Sequence, residues 1–170
     1  MSWKGGALLL HALTLTESPV RAVFYGVGPD QRRLTKLARK LGVTNRVEFV
    51  GKLARGDLWQ RMATARALIH PSFHDACAWS VAEALRIGLP TVVLDLAGPE
   101  VLVRSAGGTP VRHDDRELPA KLAQLLDHPP QSITTELWAD NTYRARLAEK
   151  LRRVASSRST TSDDGQAGLS

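Results

Sequence analysis

The chain has 170 residues, 43% of them hydrophobic, with a formal charge of +6 and a single cysteine. That length suits one domain, or one domain and a tail, with enough apolar content for a core. One cysteine excludes an internal disulfide and fits a reducing compartment; no apolar stretch reaches the ~20 residues that span a bilayer, and the start lacks a signal-peptide pattern.

In chain order, Ala7–Leu15 has apolar residues at helical spacing. Ala22–Tyr25 reads as a buried strand ending at Gly26. Pro29 opens the next helix, where its missing N–H costs nothing. Leu34, Leu37, Ala38 and Leu41 form that helix's apolar stripe, and Gly42 ends it as a C-cap. Arg46–Val50 is a strand, and Asp57 is placed to cap a helix from Leu58 to Thr64. A strand at 67–70, a helix from Ser80 to Ile87, and a strand at 90–94 follow. Val101–Arg104 suggests a short helix, Thr109–Val111 an edge strand, Leu118–Leu126 a helix, and 138–154 a last basic amphipathic helix. From 155 to 170 the composition is Ser, Thr, Asp and Gly, too polar to offset ordering entropy, so this reads as a disordered tail. Residues 1–154 therefore form the domain. Strands alternating with helices predict an α/β, Rossmann-like doubly wound parallel sheet.

Basic residues cluster at 32–40 and 144–153. They form either solvated helix faces or an attraction to anions such as a nucleotide diphosphate or an anionic membrane surface. No nucleic acid is expected, because the basic residues are not interleaved with aromatics.

The most informative stretch is Pro71–Ala84. Pro71 and Ser72 stop the strand at 67–70. Asp75 sits in the turn, small residues follow, and a helix opens whose second turn carries Glu83. Two carboxylates and a helix N-terminus at the carboxyl end of a strand define the crevice where open α/β sheets bind ligands. The helix start favours phosphate, and the carboxylates accept hydrogen bonds from sugar hydroxyls. The crevice reads as a pocket for a nucleotide sugar.

Competing readings attach to the same residues. Gly26-Val27-Gly28-Pro29 begins like a dinucleotide fingerprint, with Glu48 about 20 residues on, but Gln31 stands where a third glycine is needed. His70, His74 and Cys77 match no structural zinc spacing, so no metal is expected. His70 reads as core, His74 as a pocket neighbour, and Cys77 as a small pocket residue without an identified base. Trp79 could stack on a sugar or base, or sit in the core.

The segments Met1–Gly6, Gly26–Pro29, Asn45–Gly51, Pro71-Ser72, Asp75 with Glu83, and Gly88–Val93 occur in an order that resembles the donor half of retaining GT-B glycosyltransferases of the family-four type. The resemblance runs from Lys4 to Val111. It implies one half of a GT-B fold that transfers a hexose from a nucleotide-diphosphate sugar to an acceptor hydroxyl with retention, in bacterial glycan, lipopolysaccharide or glycolipid synthesis. It further implies that Asp75 contacts the sugar and Glu83 the ribose. Backbone N–H groups of Ala76, Cys77 and Ala78 would cradle the diphosphate beside Lys4 and Gly28, with Glu100 near the donor. No cofactor or metal is implied. The expected location is the cytoplasm, or the periphery of the inner membrane face.

The chain departs from that family in carrying Asp at the first acid and Ala78 where glycine is common. The family's first, central strand also ends just before the position of Lys4, where this sequence has Met1 and Ser2. A separate N-terminal acceptor-binding half is expected as partner, since 170 residues is about half of a two-domain enzyme. A non-catalytic nucleotide-sugar-binding module, or an inactive remnant, is the alternative.

Overall fold

Leu9, Leu10 and Leu13 fall on one face at helical spacing, and that face is the buried side of α1 (Gly6–Thr14). The computed structural model describes residues 4–131 apart from 77. After α1 come β1 (Ala22–Tyr25), α2 (Gln31–Lys40), a 3₁₀ turn (Thr44–Arg46), β2 (Val47–Gly51), α3 (Arg55–Ala63) and β3 (Leu68–His70). Then follow α4 (Trp79–Arg86), β4 (Thr91–Val93), α5 (Ala97–Ser105) and α6 (Leu118–Asp127). The helix expected at 138–154 and the tail at 155–170 lie outside the described residues.

The strands pair in parallel, as the alternation predicts, but not as one continuous sheet. β1 pairs with β2, Ala22 opposite Val47 and Phe24 opposite Phe49, with a register shift before Tyr25. β3 pairs with β4, Leu68 opposite Thr91 and His70 opposite Val93. Leu94 adds a single parallel bridge to Val111, which is all that forms of the edge strand expected at 109–111. Among the described residues no strand joins β1 to β3. Burial follows from this break. All three residues of β4 are buried, whereas β3 is half-buried throughout. On β1, Val23 and Tyr25 remain 39% and 38% exposed.

One core nevertheless underlies both pairs. Leu9, Leu10 and Leu13 of α1 cluster with Ala22 and Val92, and Phe24, Phe49 and Ile69 pack against them. The Phe24 and Phe49 rings stack with centroids 5.0 Å apart. A second cluster joins Val81 and Leu85 of α4 to Val93 and Val103.

Three helix starts differ from the sequence-based expectation. α2 opens at Gln31, behind Asp30, and not at Pro29. α3 opens two residues before Asp57, behind an extended Ala54, so Asp57 lies in the first turn, where an acid complements the helix dipole. α5 takes in Gly98, Pro99 and Glu100, which the sequence suggests as loop. A proline in the first turn lacks only an N–H that has no partner within the helix.

The connection from α1 to β1 is held by two charged side chains. Asp127, at the end of α6, accepts the N–H groups of Glu17 and Ser18, both at 2.9 Å. These two bonds hold its carboxyl below the ordinary value. The Arg46 guanidinium donates to the carbonyls of Leu13 at 2.9 Å and Val20 at 2.8 Å. Because the Asp127 pKa is lowered on folding, its contribution is present above the ordinary carboxylate range and lost as pH falls through the lowered value. Asp127→Ala is therefore expected to lower the melting temperature at pH 7 and to flatten its fall below pH 4. Leu10→Ala, which empties a fully buried position, is expected to cost about 2–5 kcal/mol at all pH values. Thermal melts across pH check the first and urea melts the second.

Candidate functional site

The site is assembled where the strands end. Gly5 has φ +71°, and a Cβ on it would lie 1.8 Å from the carbonyl oxygen of Pro71, just past β3. Only glycine meets both conditions. This packing sets Lys4 beside the loop after β3, with its Nζ 2.6 Å from Asp75 Oδ2. Lys4 is half exposed, at 52%, while the Asp75 side chain is only 14% exposed. Two residues far apart in sequence, both expected at the donor, thus meet as an ion pair.

His70 completes this group, where the sequence suggests a core residue. Its Nε2 lies 3.3 Å from the same carboxylate oxygen. That nitrogen is buried and is not aligned for a hydrogen bond. Burial pushes the imidazole pKa down; Asp75 pulls it up, and the Lys4 charge pushes it down again. The net lowering keeps His70 neutral at neutral pH.

The loop between β3 and α4 is clamped at both sides. Ser72 is buried, and its hydroxyl donates to the His74 carbonyl at 3.2 Å. The Asp75 carbonyl accepts the Gly98 N–H at 3.2 Å, tying the loop to the start of α5. Ala76 and His74 are exposed, and Cys77 lies outside the described residues. Ala78 precedes α4 in extended backbone at φ −82°, without a side-chain cap. Any residue adopts that conformation, so the backbone does not demand the glycine expected there. Trp79, the first residue of α4, is 60% exposed, which removes the core reading for it.

Glu83 lies one turn further along α4, and its side chain is 15% exposed. Its carboxylate accepts a hydrogen bond from the Arg55 guanidinium of α3. The same guanidinium lies 5.6 Å from the centre of the Trp59 ring. Sequence reasoning misses Arg55, because nothing in its local pattern marks it among many basic residues; the α3–α4 arrangement makes the pair. On the β1 side, neither Gly26 at φ +104° nor Gly28 has an atom within 4 Å of a built Cβ, so this loop faces open space. Glu100 belongs to α5 rather than to a loop and pairs with Arg104 at 2.7 Å.

Each of the two acids thus faces a cation that a ligand could replace. Asp75 and Glu83 can accept hydroxyl hydrogens, and Lys4 and Arg55 can meet anionic oxygens. Among the described residues no group of three or more His, Cys, Asp or Glu side chains could hold a metal. No described helix is long and apolar enough to cross a membrane. A separate cleft of about 630 Å³ lies between residues 107–112 and α6, lined by Arg112, Asp115 and Lys121.

Comparison with known proteins places this geometry in context. A family model described as Glycosyl transferases group 1 matches residues 2–158. The chain is 30% identical over 144 residues to lipopolysaccharide glucosyltransferase WaaG of Escherichia coli, covering 81% of this chain and 37% of that one. It is 31% identical over 108 residues to D-inositol 3-phosphate glycosyltransferase of Mycolicibacterium vanbaalenii, covering 62% and 24%. Among solved structures, Anabaena HepE in complex with UDP-glucose superposes with a TM-score of 0.65 at 27% identity, covering 75% of this chain and 35% of that one. The chain thus spans well under half of the proteins it resembles, and the fold is that of a GT-B glycosyltransferase domain.

The Lys4–Asp75–His70 group has a signature in solution. Lys4→Met, which removes the cation, is expected to raise the His70 pKa, and Asp75→Asn to lower it further, by the signs of their charges. An NMR titration of the imidazole tests this; shifts of the same sign in both variants would contradict the arrangement.

Proposed function

This chain belongs to the group 1 glycosyl transferases, and from that membership we propose that it binds the nucleotide-sugar donor of a retaining hexosyl transfer. The observation that carries the reading is the Lys4–Asp75 contact of 2.6 Å, made across 71 positions of sequence in the loop that follows β3. A lysine beside a sugar-orienting acid stands where a diphosphate joins its sugar. The donor class is supported by HepE, which has been crystallised with UDP and with UDP-glucose.

In this reading the bond that breaks joins the anomeric carbon to the diphosphate. Negative charge gathers on the departing diphosphate oxygens, and preorganised donors there lower the barrier. Lys4 supplies one positive charge, and the start of α4, which has no side-chain cap, supplies the rest together with the N–H groups that the family resemblance assigns to Ala76, Cys77 and Ala78. To reach the diphosphate, Lys4 leaves Asp75, whose carboxylate then accepts sugar hydroxyls. Glu83 exchanges Arg55 for the ribose hydroxyls. Gly28, on an open loop, lets backbone approach the phosphates without a Cβ between. His74 and Trp79 border the sugar, and Glu100, turned to Arg104, plays the smallest part. No metal enters the scheme, because the cation and the helix start supply the charge. The acceptor hydroxyl is presented by a separate half, with the lipopolysaccharide or glycolipid class as the acceptor. A second reading is a non-catalytic module that binds the nucleotide sugar through the same residues without transferring it.

A thermal melt with UDP-, GDP- and ADP-sugars tests donor binding, since selective binding to the folded state raises the midpoint. One nucleotide series is expected to raise it. Glu83→Gln and Lys4→Met should each weaken that ligand about 10–100-fold, the scale of a charged hydrogen bond. Arg55→Ala, which removes the competitor for Glu83, should leave affinity unchanged or improved. No shift with any nucleotide sugar would sink the proposal.

A further inference from the structure

We propose that His70 is a positioning residue for Asp75: its Nε2–H takes the place of the Lys4 ammonium on the Asp75 carboxylate when Lys4 turns to a diphosphate. The inference rests on reading the crevice as a donor site, and it adds a residue which that reading leaves unused.

His70 ends β3, opposite Val93 in the ladder with β4. Pro71 follows it, packed against Gly5. The root of the imidazole is therefore held on both sides. Its side chain is only 14% exposed, and Nε2 lies 3.3 Å from Asp75 Oδ2 without the alignment of a hydrogen bond. A buried polar atom without a partner is costly, so one left this close to an acceptor needs a reason. The Lys4 Nζ, 2.6 Å from the same oxygen, is that reason: it turns the carboxylate toward itself.

The chemistry of the pair puts the proton on Nε2. An ionised carboxylate only accepts, and a bare nitrogen lone pair facing it would repel it. Among the described residues, Asp75 and Lys4 are the charged groups that act on this ring, and their opposing pulls together with its burial keep it neutral at neutral pH. A neutral donor orients a carboxylate without cancelling its charge, which leaves the acid able to accept sugar hydroxyls.

The loop that carries Asp75 is held as firmly as the ring. The Ser72 hydroxyl donates to the His74 carbonyl, and the Asp75 carbonyl accepts the Gly98 N–H. With both backbones fixed, rotation of the Asp75 side chain is enough to bring its oxygen into line with Nε2–H. Lys4 is 52% exposed on a flexible four-carbon stem, so it is the partner that can turn away. The crevice thus divides two tasks. A cation travels to the leaving group, and a fixed neutral donor keeps the orienting acid in place.

Two measurements on the full chain test this. Proton–nitrogen NMR of the imidazole needs no ligand, and mildly alkaline pH keeps the ring neutral in every variant. Lys4→Met mimics the departed cation, and His70→Phe assigns the signal. The Nε2 proton is expected to move downfield and exchange more slowly with water in Lys4→Met. Adding Asp75→Ala to that variant should reverse both changes. A proton on Nδ1 instead, or no change on removing Lys4, overturns the proposal. Calorimetry then reads the sugar. His70→Phe should weaken UDP-glucose about tenfold, the scale of one charged hydrogen bond, and leave UDP unchanged. His70→Gln, whose amide nitrogen can reach the place of Nε2, should recover most of the loss. Equal weakening of both ligands, or of neither, overturns the proposal. If the wild-type chain binds no UDP-glucose, the donor reading fails, and the imidazole signal alone decides the role of His70.

Discussion

Gly5 lies so close to the carbonyl of Pro71 that no side chain fits between them, and the arrangement of the carboxyl edge depends on this contact. It brings the start of the chain against the end of β3, which puts Lys4 within reach of Asp75. It also fixes where α1 begins, and α1 supplies the leucines on which both strand pairs rest. A substitution at Gly5 would therefore disturb the core and the crevice together. Close backbone approach here sets function and stability by the same geometry.

The crevice holds its charges in a state suited to exchange. Both acids are largely covered and each is paired, Asp75 with Lys4 and Glu83 with Arg55, while the two cations remain half exposed or more. Exposed ion pairs contribute little to stability, because water and salt screen them. Opening them leaves a covered carboxylate that needs a new donor, and the ligand must supply it. An anionic, hydroxyl-rich ligand offers an acceptor to Lys4 and donors to the two acids, and it releases Arg55 from Glu83. His70 stays neutral beneath Asp75, so the carboxylate is not held by a second charge.

Much of this was legible in the sequence. Alternating apolar runs and amphipathic stretches place the strands and helices of 7–127 to within a few residues. The turn that carries Asp75 and the helix that carries Glu83 form where the pattern of 71–84 puts them. What local pattern could not carry was pairing across distance. The Arg55–Glu83 contact joins two helices, and neither position is distinctive alone. His70 ends an apolar run and so reads as core, yet its ring nitrogen turns to Asp75. Whether β1 and β3 meet was not legible in the sequence; the half-exposed faces of Val23 and Tyr25 follow from β1 pairing with β2 alone. Pro99 misleads because a proline reads as a break, although the first turn of a helix accepts one.

The central claim is that the crevice at Lys4, Asp75 and Glu83 is where this chain binds a nucleotide sugar. Backbone amide NMR with added UDP-glucose tests it most directly. The account predicts perturbations at Lys4–Gly6, in the open loop Gly26–Asp30, and through Ser72–Glu83. Perturbations confined to the cleft between residues 107–112 and α6, with those segments unmoved, would contradict it.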